Sequence, residues 1–483
     1  MHLLMQNSGI DFNPSISEDG SVTFGDITTC SMTITNEETT YTCEEGSVPV
    51  DGSTLKGVTL GGNCMCSTGT GASSVTYKTD SSGGEDDPPL VVTSPLYYAK
   101  GAAGVAESVK GWTVPLNAGG TDLIMQIDTG SDDIVVISTL CTSQFCQQFD
   151  QYNPEGAKNL SISSEISYGS GEETWSYSLF EDWVVVGESN TNLTSVVIGA
   201  VTNLTQATVT GDGILGVGPA YNAGESTIQQ VLPEAKTFVE TMLADGKVSE
   251  PAFTIHFGEV LDEFDITVLK GNNNATTGSV DWGAFALTEG MVVVETVCDN
   301  YMTPLVAFEL CYQVGDDSCG RKVSIPIPKQ ANRNSLPSSE ECASTPLIDS
   351  GTSRLLLPES MYDPLIEDLA KTYGALFGVG ATDIMKMLNN EPDNQDDFFI
   401  HVMLLDALNT DTSVTFDDFV AASPMIILTF ENEATLVASA GDLAQFGVAI
   451  ADGVRFIIGD TVLFGDSVSF HTTEKKLAFK GGY

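Results

Sequence analysis

From residue 96 onward the hydrophobic pattern is one of short apolar runs separated by turn residues. Leu123–Ile127, Ile134–Ile137, Trp183–Val186, Ser195–Ile198 and Pro424–Phe430 are such runs, rich in β-branched and aromatic side chains. Gly, Asn, Ser and Pro lie between them, as expected of many short strands. Trp112–Leu116, the turn Asn117-Ala118-Gly119-Gly120 and Leu123–Ile127 predict a hairpin. Helical spacing is confined to two stretches, Thr227–Leu243 and Ser360–Thr372, the second after Pro358. Segments 305–345 and 373–423 interrupt the pattern and are expected to be insertions at the surface or beside a cleft. Residues 1–95 are a separate piece. They are rich in Ser, Thr and Gly, alternate as in Ser31-Met32-Thr33-Ile34-Thr35, and end in Ser-Ser-Gly-Gly-Glu-Asp-Asp-Pro-Pro, a linker by composition.

The run Leu123–Ile127 ends in a carboxylate that opens a tight turn, Asp128-Thr129-Gly130-Ser131, before Ile134–Ile137. A charge between two β-branched runs is costly unless hydrogen-bonded or neutralised. Gly130 lets the backbone pass close by, and Thr129 and Ser131 supply hydroxyls. One copy is no more than a turn motif. The pattern returns as Leu347-Ile348-Asp349-Ser350-Gly351-Thr352, followed by Leu355-Leu356-Leu357. Each copy is followed by two apolar residues and a glycine, Ile214-Leu215-Gly216 and Ile457-Ile458-Gly459. This is an internal repeat of about half the chain.

With these motifs the chain resembles the pepsin-like aspartic proteases over residues 96–483. Ile166-Ser167-Tyr168-Gly169-Ser170-Gly171 resembles that family's flap, and Asp212-Gly213-Ile214-Leu215-Gly216 the strand behind the first Asp loop. Phe253–Phe257 and Thr277–Trp282 resemble the crossing between lobes. The resemblance implies a mainly β, bilobal fold, two β-barrel-like lobes around a central cleft, with a small Cys-containing segment appended. The expected boundaries are 1–95, 96–258 and 259–483. It implies a shared-proton dyad Asp128/Asp349, with Thr129 and Ser350 bracing the loops. Ser131 and Thr352 would hydrogen-bond the carboxylates, and Gly130 and Gly351 would offer carbonyls to the substrate backbone. Tyr168, Gly169 and Ser170 would cover the substrate, and Cys141–Cys146 would close a small loop. Two departures stand out. Val135 occupies a place where the family often has a Trp that bonds the flap Tyr, and Arg354 follows the second loop.

Charge narrows the partners. Nineteen Lys and Arg against 66 Asp and Glu give −47 at pH 7, which disfavours nucleic acid and anionic membranes. No run of 18 apolar residues predicts a membrane span. Residues 1–95 hold two Lys against 13 acids, unlike the basic prosegment that relatives of pepsin carry, so an appended small domain is expected in place of an inhibitory one. The ten Cys fall into even groups. These are Cys30, Cys43, Cys64 and Cys66; Cys141 and Cys146; and Cys298, Cys311, Cys319 and Cys342. Pairing within groups is expected; Cys64 and Cys66 are too close for an easy mutual bridge and would take Cys30 and Cys43 in either order. With sequons at Asn159, Asn192, Asn203 and Asn274, this favours the secretory pathway, a secreted protein or an acidic vacuole. Met1–Met5 is too short for a signal peptide, so a truncated start or another export route is expected. Four scattered His and no Cys-x-x-Cys predict no metal, and no cofactor is needed.

The expected chemistry is hydrolysis of extended polypeptides by a monomeric endopeptidase. Two carboxylates this close cannot both ionise, so one acts as base and one as acid. Two other readings compete: a non-catalytic relative that binds peptides in the cleft, and a two-carboxylate glycosidase. The glycosidase leaves the duplicated Asp-hydroxyl-Gly turn without a reason.

Overall fold

A computed structural model describes residues 90–100, 110–168, 173–187, 191–206, 209–219, 227–258, 264–265, 278–288, 290–298, 300–313, 319–332, 337–352, 355–389, 414, 416–438, 450–452 and 455–480, with the backbone of strands between Pro14 and Lys78. The chain divides into two compact units, Met1–Pro88 and Pro89–Tyr483.

The first unit is a five-stranded antiparallel sheet and a two-stranded ribbon. Cys30 is the register partner of Cys43 on neighbouring strands. Cys64 and Cys66 lie in the ribbon, opposite Asp51 and Pro49.

The second unit begins with the expected hairpin. Strands Lys110–Ala118 and Thr121–Asp128 pair from Ala118↔Thr121 to Thr113↔Gln126. Gly119 and Gly120 form the two-residue turn with φ of 55° and 91°. A turn with both central residues left-handed suits the twist of the strands, and glycine adopts it without strain. Long strands Glu173–Val186 and Thr191–Leu204 continue the sheet, and Val184↔Ala118 pairing closes it on itself as a barrel. Both faces of Thr121–Asp128 are buried from Leu123 on, which is why its apolar run is unbroken.

The sheet runs on from Lys110–Ala118 through strands from well-separated parts of this unit. Val92–Trp282, Phe253–Trp282 and Phe253–Phe470 are register partners across Val92–Lys100, Gly278–Trp282, Ala252–His256 and Ser467–His471. Trp282, Phe253, Phe470 and Tyr301 are packed here with almost no exposure.

Three sequence expectations change. The stretch 227–243 is two helices, Thr227–Val231 and Phe238–Ala244. Pro233 lies in the break, where a proline disfavours helix in the residue before it. Thr237 caps the second helix, accepting the Glu240 N–H while Glu240 returns to the Thr237 N–H. Segment 305–345 is no surface insertion at its start. Leu305–Gln313 is a strand of a four-stranded sheet, paired with Met425–Phe430, and buries Leu305, Phe308 and Leu310. The second predicted helix is longer than its pattern, Glu359–Phe377, and stops at Gly378 with φ of 67°.

Disulfides join Cys141–Cys146, Cys298–Cys342 and Cys311–Cys319, all within the expected groups. Among the described residues no helix is long and apolar enough to cross a membrane.

Candidate active site

Each of the two Asp loops hangs from a parallel strand pair. Thr121–Asp128 runs beside Gly213–Gly216 in register Gln126↔Ile214 and Asp128↔Gly216. Leu347–Ile348 runs beside Ile457–Ile458 in the same sense. The Asp128 carbonyl accepts the Val217 N–H at 2.8 Å, and the Asp349 N–H donates to the Ile458 carbonyl at 3.0 Å. The two apolar-apolar-Gly segments of the repeat are therefore the rails that hold both carboxylates.

The loops clamp each other through hydroxyls. Thr129 Oγ1 donates to the Ile348 carbonyl at 2.8 Å, and Ser350 Oγ to the Ile127 carbonyl at 2.9 Å. The Ser350 N–H donates to Thr129 Oγ1 at 3.0 Å and the Thr129 N–H to Ser350 Oγ at 3.2 Å. Thr129 and Ser350 are fully buried.

The carboxylates are dressed alike. Oδ1 of Asp128 accepts the Gly130 N–H at 2.8 Å and Oδ2 accepts Ser131 Oγ at 2.5 Å. For Asp349 the partners are the Gly351 N–H at 2.8 Å and Thr352 Oγ1 at 2.6 Å. Each glycine lies against the opposite carboxyl: a methyl on Gly130 would fall 2.7 Å from Asp349 Cγ, and one on Gly351 2.6 Å from Asp128 Cγ. Burial, and then the Asp349 charge, push the Asp128 carboxyl well above the ordinary range; the Ser131 hydroxyl and Gly130 N–H oppose this and do not cancel it.

Not every expected residue falls in view. Tyr168 ends the strand Lys158–Tyr168 with Glu173 as register partner, and is described by its backbone alone. Gly169, Ser170 and Arg354 lie outside the described residues. Val135 is a fully buried core residue, paired in register with Ile214 and Gly199. Among the described residues no group of three or more His, Cys, Asp or Glu is placed to hold a metal.

Three residues here escape the sequence pattern. Asp460 is fully buried, and neither carboxyl oxygen has a hydrogen-bond partner among the described residues. Burial, and then the charges of Asp349 and Asp128, push its carboxyl well above the ordinary range, which favours the protonated form. It follows Ile457-Ile458-Gly459 at the place that Val217 takes in the first copy, and that break in the repeat is its signal. Gln126 is a polar residue inside an apolar run, and its amide reaches the Gly351 carbonyl at 2.9 Å. Asn300 reaches the Gly130 carbonyl at 3.2 Å; nothing in its local sequence marks it.

Asp460 gives a measurable stability effect. A carboxyl raised in the fold holds its proton more tightly than in the unfolded chain. Its contribution is full below the unfolded value of about 3.9 and is lost as pH rises, by about 1.4 kcal/mol per pH unit up to the folded value. Asp460→Asn removes that loss. Thermal melts from pH 4 to 7 should fall less steeply for the variant than for the parent, and parallel curves would contradict the raised carboxyl.

Comparison with known proteins fits this geometry. Residues 115–292 match the family described as eukaryotic aspartyl protease. An aspartic protease of Phaffia rhodozyma is 31% identical over 35% of this chain and 40% of its own length. Pepsin II-2/3 of Oryctolagus cuniculus is 27% identical over 51% of this chain and 54% of its own. A probable aspartic-type endopeptidase, opsB, of Aspergillus oryzae is 21% identical over 74% of this chain and 65% of its own. The chain thus spans roughly half the length of the curated relatives it matches.

Proposed function

We propose that the chain is an aspartic endopeptidase acting on extended polypeptides in acid, a reading supported by the match of residues 115–292 to the family described as eukaryotic aspartyl protease. The observation that carries the reading is the mutual contact of Asp128 and Asp349, each braced by its own hydroxyl and pressed against the other's glycine. Two carboxyls close enough to interact directly hold one proton between them. The ionised member takes a proton from a water as that water attacks the peptide carbonyl. The protonated member donates to the carbonyl oxygen, and proton return to the nitrogen completes the cleavage. The roles belong to the pair, because coupled carboxyls titrate together. Tyr168, Gly169 and Ser170 would close over the bound chain. Disulfides and sequons support a route through the secretory pathway, to the exterior or to an acidic compartment.

Activity requires the shared proton, so it falls as pH rises through the upper constant of the pair. The optimum is expected at roughly pH 3–5.5, in line with other shared-proton carboxylates. Rates on an internally quenched peptide at constant ionic strength, with and without a statine-type inhibitor, test the reading. Cleavage in acid that the inhibitor blocks supports it. A maximum at pH 7 or above in protein still folded at pH 4.5 overturns it. Tight binding of the inhibitor without any cleavage would instead favour a peptide-binding cleft.

A further inference from the structure

A second pair of side chains crosses between the loops, outside the hydroxyl clamp. Gln126 donates Nε2 to the Gly351 carbonyl at 2.9 Å and accepts the Thr210 N–H at Oε1, 3.0 Å. Asn300 donates Nδ2 to the Gly130 carbonyl at 3.2 Å and accepts the Tyr301 N–H at Oδ1, 2.7 Å. Each carboxamide is thus held at both ends. The two bonds run in opposite senses. Gln126, two residues before Asp128, reaches the Asp349 loop, and Asn300, from the later half of the chain, reaches the Asp128 loop. Both side chains are buried, Gln126 to 8% exposure and Asn300 to 2%.

Such burial needs a reason. A carboxamide within the run Leu123–Ile127 costs free energy unless its polar atoms are satisfied. Gln126 satisfies them with a carbonyl that the other loop presents beside the dyad. A carbonyl oxygen has two lone pairs. When a rigid amide takes one, the other is held in a fixed direction. Gly130 and Gly351 are only partly buried, and each touches the carboxyl across the cleft. A peptide lying extended over the dyad would bring its main-chain N–H groups to these two oxygens.

We propose that Gln126 and Asn300 are positioning residues that aim the carbonyls of Gly351 and Gly130 at main-chain N–H groups of the bound peptide. The backbone contact that the resemblance implies for these carbonyls would then depend on the two amides. This rests on the endopeptidase reading above.

The test couples a protein change to a substrate change. A statine-type peptide is prepared with free N–H groups and with single N-methyl groups in turn on the residues flanking the statine. Its binding to the full chain in acid is measured for the parent, Gln126→Leu, Gln126→Met and Asn300→Ala. In the parent, methylation at the critical position should weaken binding about 5–10-fold, the scale of one neutral hydrogen bond. Gln126→Leu and Gln126→Met should weaken the unmethylated peptide by a similar factor, and methylation at one position should then cost them little. Asn300→Ala should show the same loss of sensitivity at a different position. It puts the question to the other carbonyl, so the outcome does not depend on the Gln126 variants folding. If methylation costs every variant as much as the parent at every position, the amides do not act through these carbonyls and the proposal is wrong. A general weakening of all peptides alike, which a merely structural role would give, also overturns it. A parent that neither binds nor cleaves peptides in acid would fail the endopeptidase reading itself, an outcome distinct from both.

Discussion

Replacing either Asp128 or Asp349 by Asn will cut peptide hydrolysis by a factor on the order of 10⁴ and leave the fold standing. An amide has the size of the carboxyl, and its oxygen can keep the Gly130 or Gly351 N–H at the distance of 2.8 Å. It cannot take a proton from water. The double variant will lose no more than the worse single one, because the two groups act as a unit. The same change has a second, opposite effect. The Asp128 carboxyl is raised by burial and by the Asp349 charge. Its stabilising contribution is therefore full below the unfolded value of about 3.9 and lost as pH rises above it. Asn at 128 has no such loss, so the inactive variant should melt higher than the parent at pH 7. Initial rates on a quenched peptide and thermal melts on the same samples check both parts. A folded single variant with near-parental rate would remove the dyad from the mechanism.

Gly351→Ala should be nearly as damaging without touching a titratable group. Neither Gly351 nor Gly130 has a left-handed backbone, so glycine is there for closeness alone. A methyl at 351 would lie 2.6 Å from Asp128 Cγ. The loop cannot retreat easily, because Thr129 and Ser350 tie both loops through four buried hydrogen bonds. The carboxyl must yield, and a displacement of about 1 Å in a reacting group costs on the order of 10²-fold in rate. Stability should fall by about 1–3 kcal/mol, as for other overpacked sites. Rates and melts of Gly351→Ala and Gly130→Ala test this; variants with full activity would mean that the carboxyls are not in contact when they work.

The two Asp loops are legible in the sequence because both carry one local pattern: an apolar strand, an acid, a hydroxyl, a glycine. The strands on which they hang are legible for the same reason, since burial on both faces leaves unbroken apolar runs. What escapes is set by partners far along the chain. Leu305–Gln313 reads as an interruption until its partner Met425–Phe430 is in place, and Val306 faces out at 62% exposure, which blurs the run. The helix break at Pro233 is written in the proline itself, although the helical spacing runs on through it. Gln126 and Asp460 show themselves only as oddities, a polar residue in an apolar run and a mismatch between the repeats. Gln126 acts on the opposite loop and Asp460 lies beside Asp349, which comes far earlier in the sequence, and no local window contains either partner.

The hydroxyl clamp also sets when during synthesis the dyad can first exist. Thr129 and Ser350 are 221 residues apart, and the rail beneath Asp349 comes later still, at Ile457–Ile458. Contacts of such long range are slow to form and follow local structure. The strands of the barrel that carries Asp128 all precede residue 217, so a chain emerging from the ribosome has them in hand well before Asp349 is made. Asp128 then has no partner to share a proton with. A nascent or prematurely terminated chain that stops short of residue 460 is expected to be incapable of attacking itself or the machinery that handles it. Competence would arrive late and all at once, with the last strands of the fold.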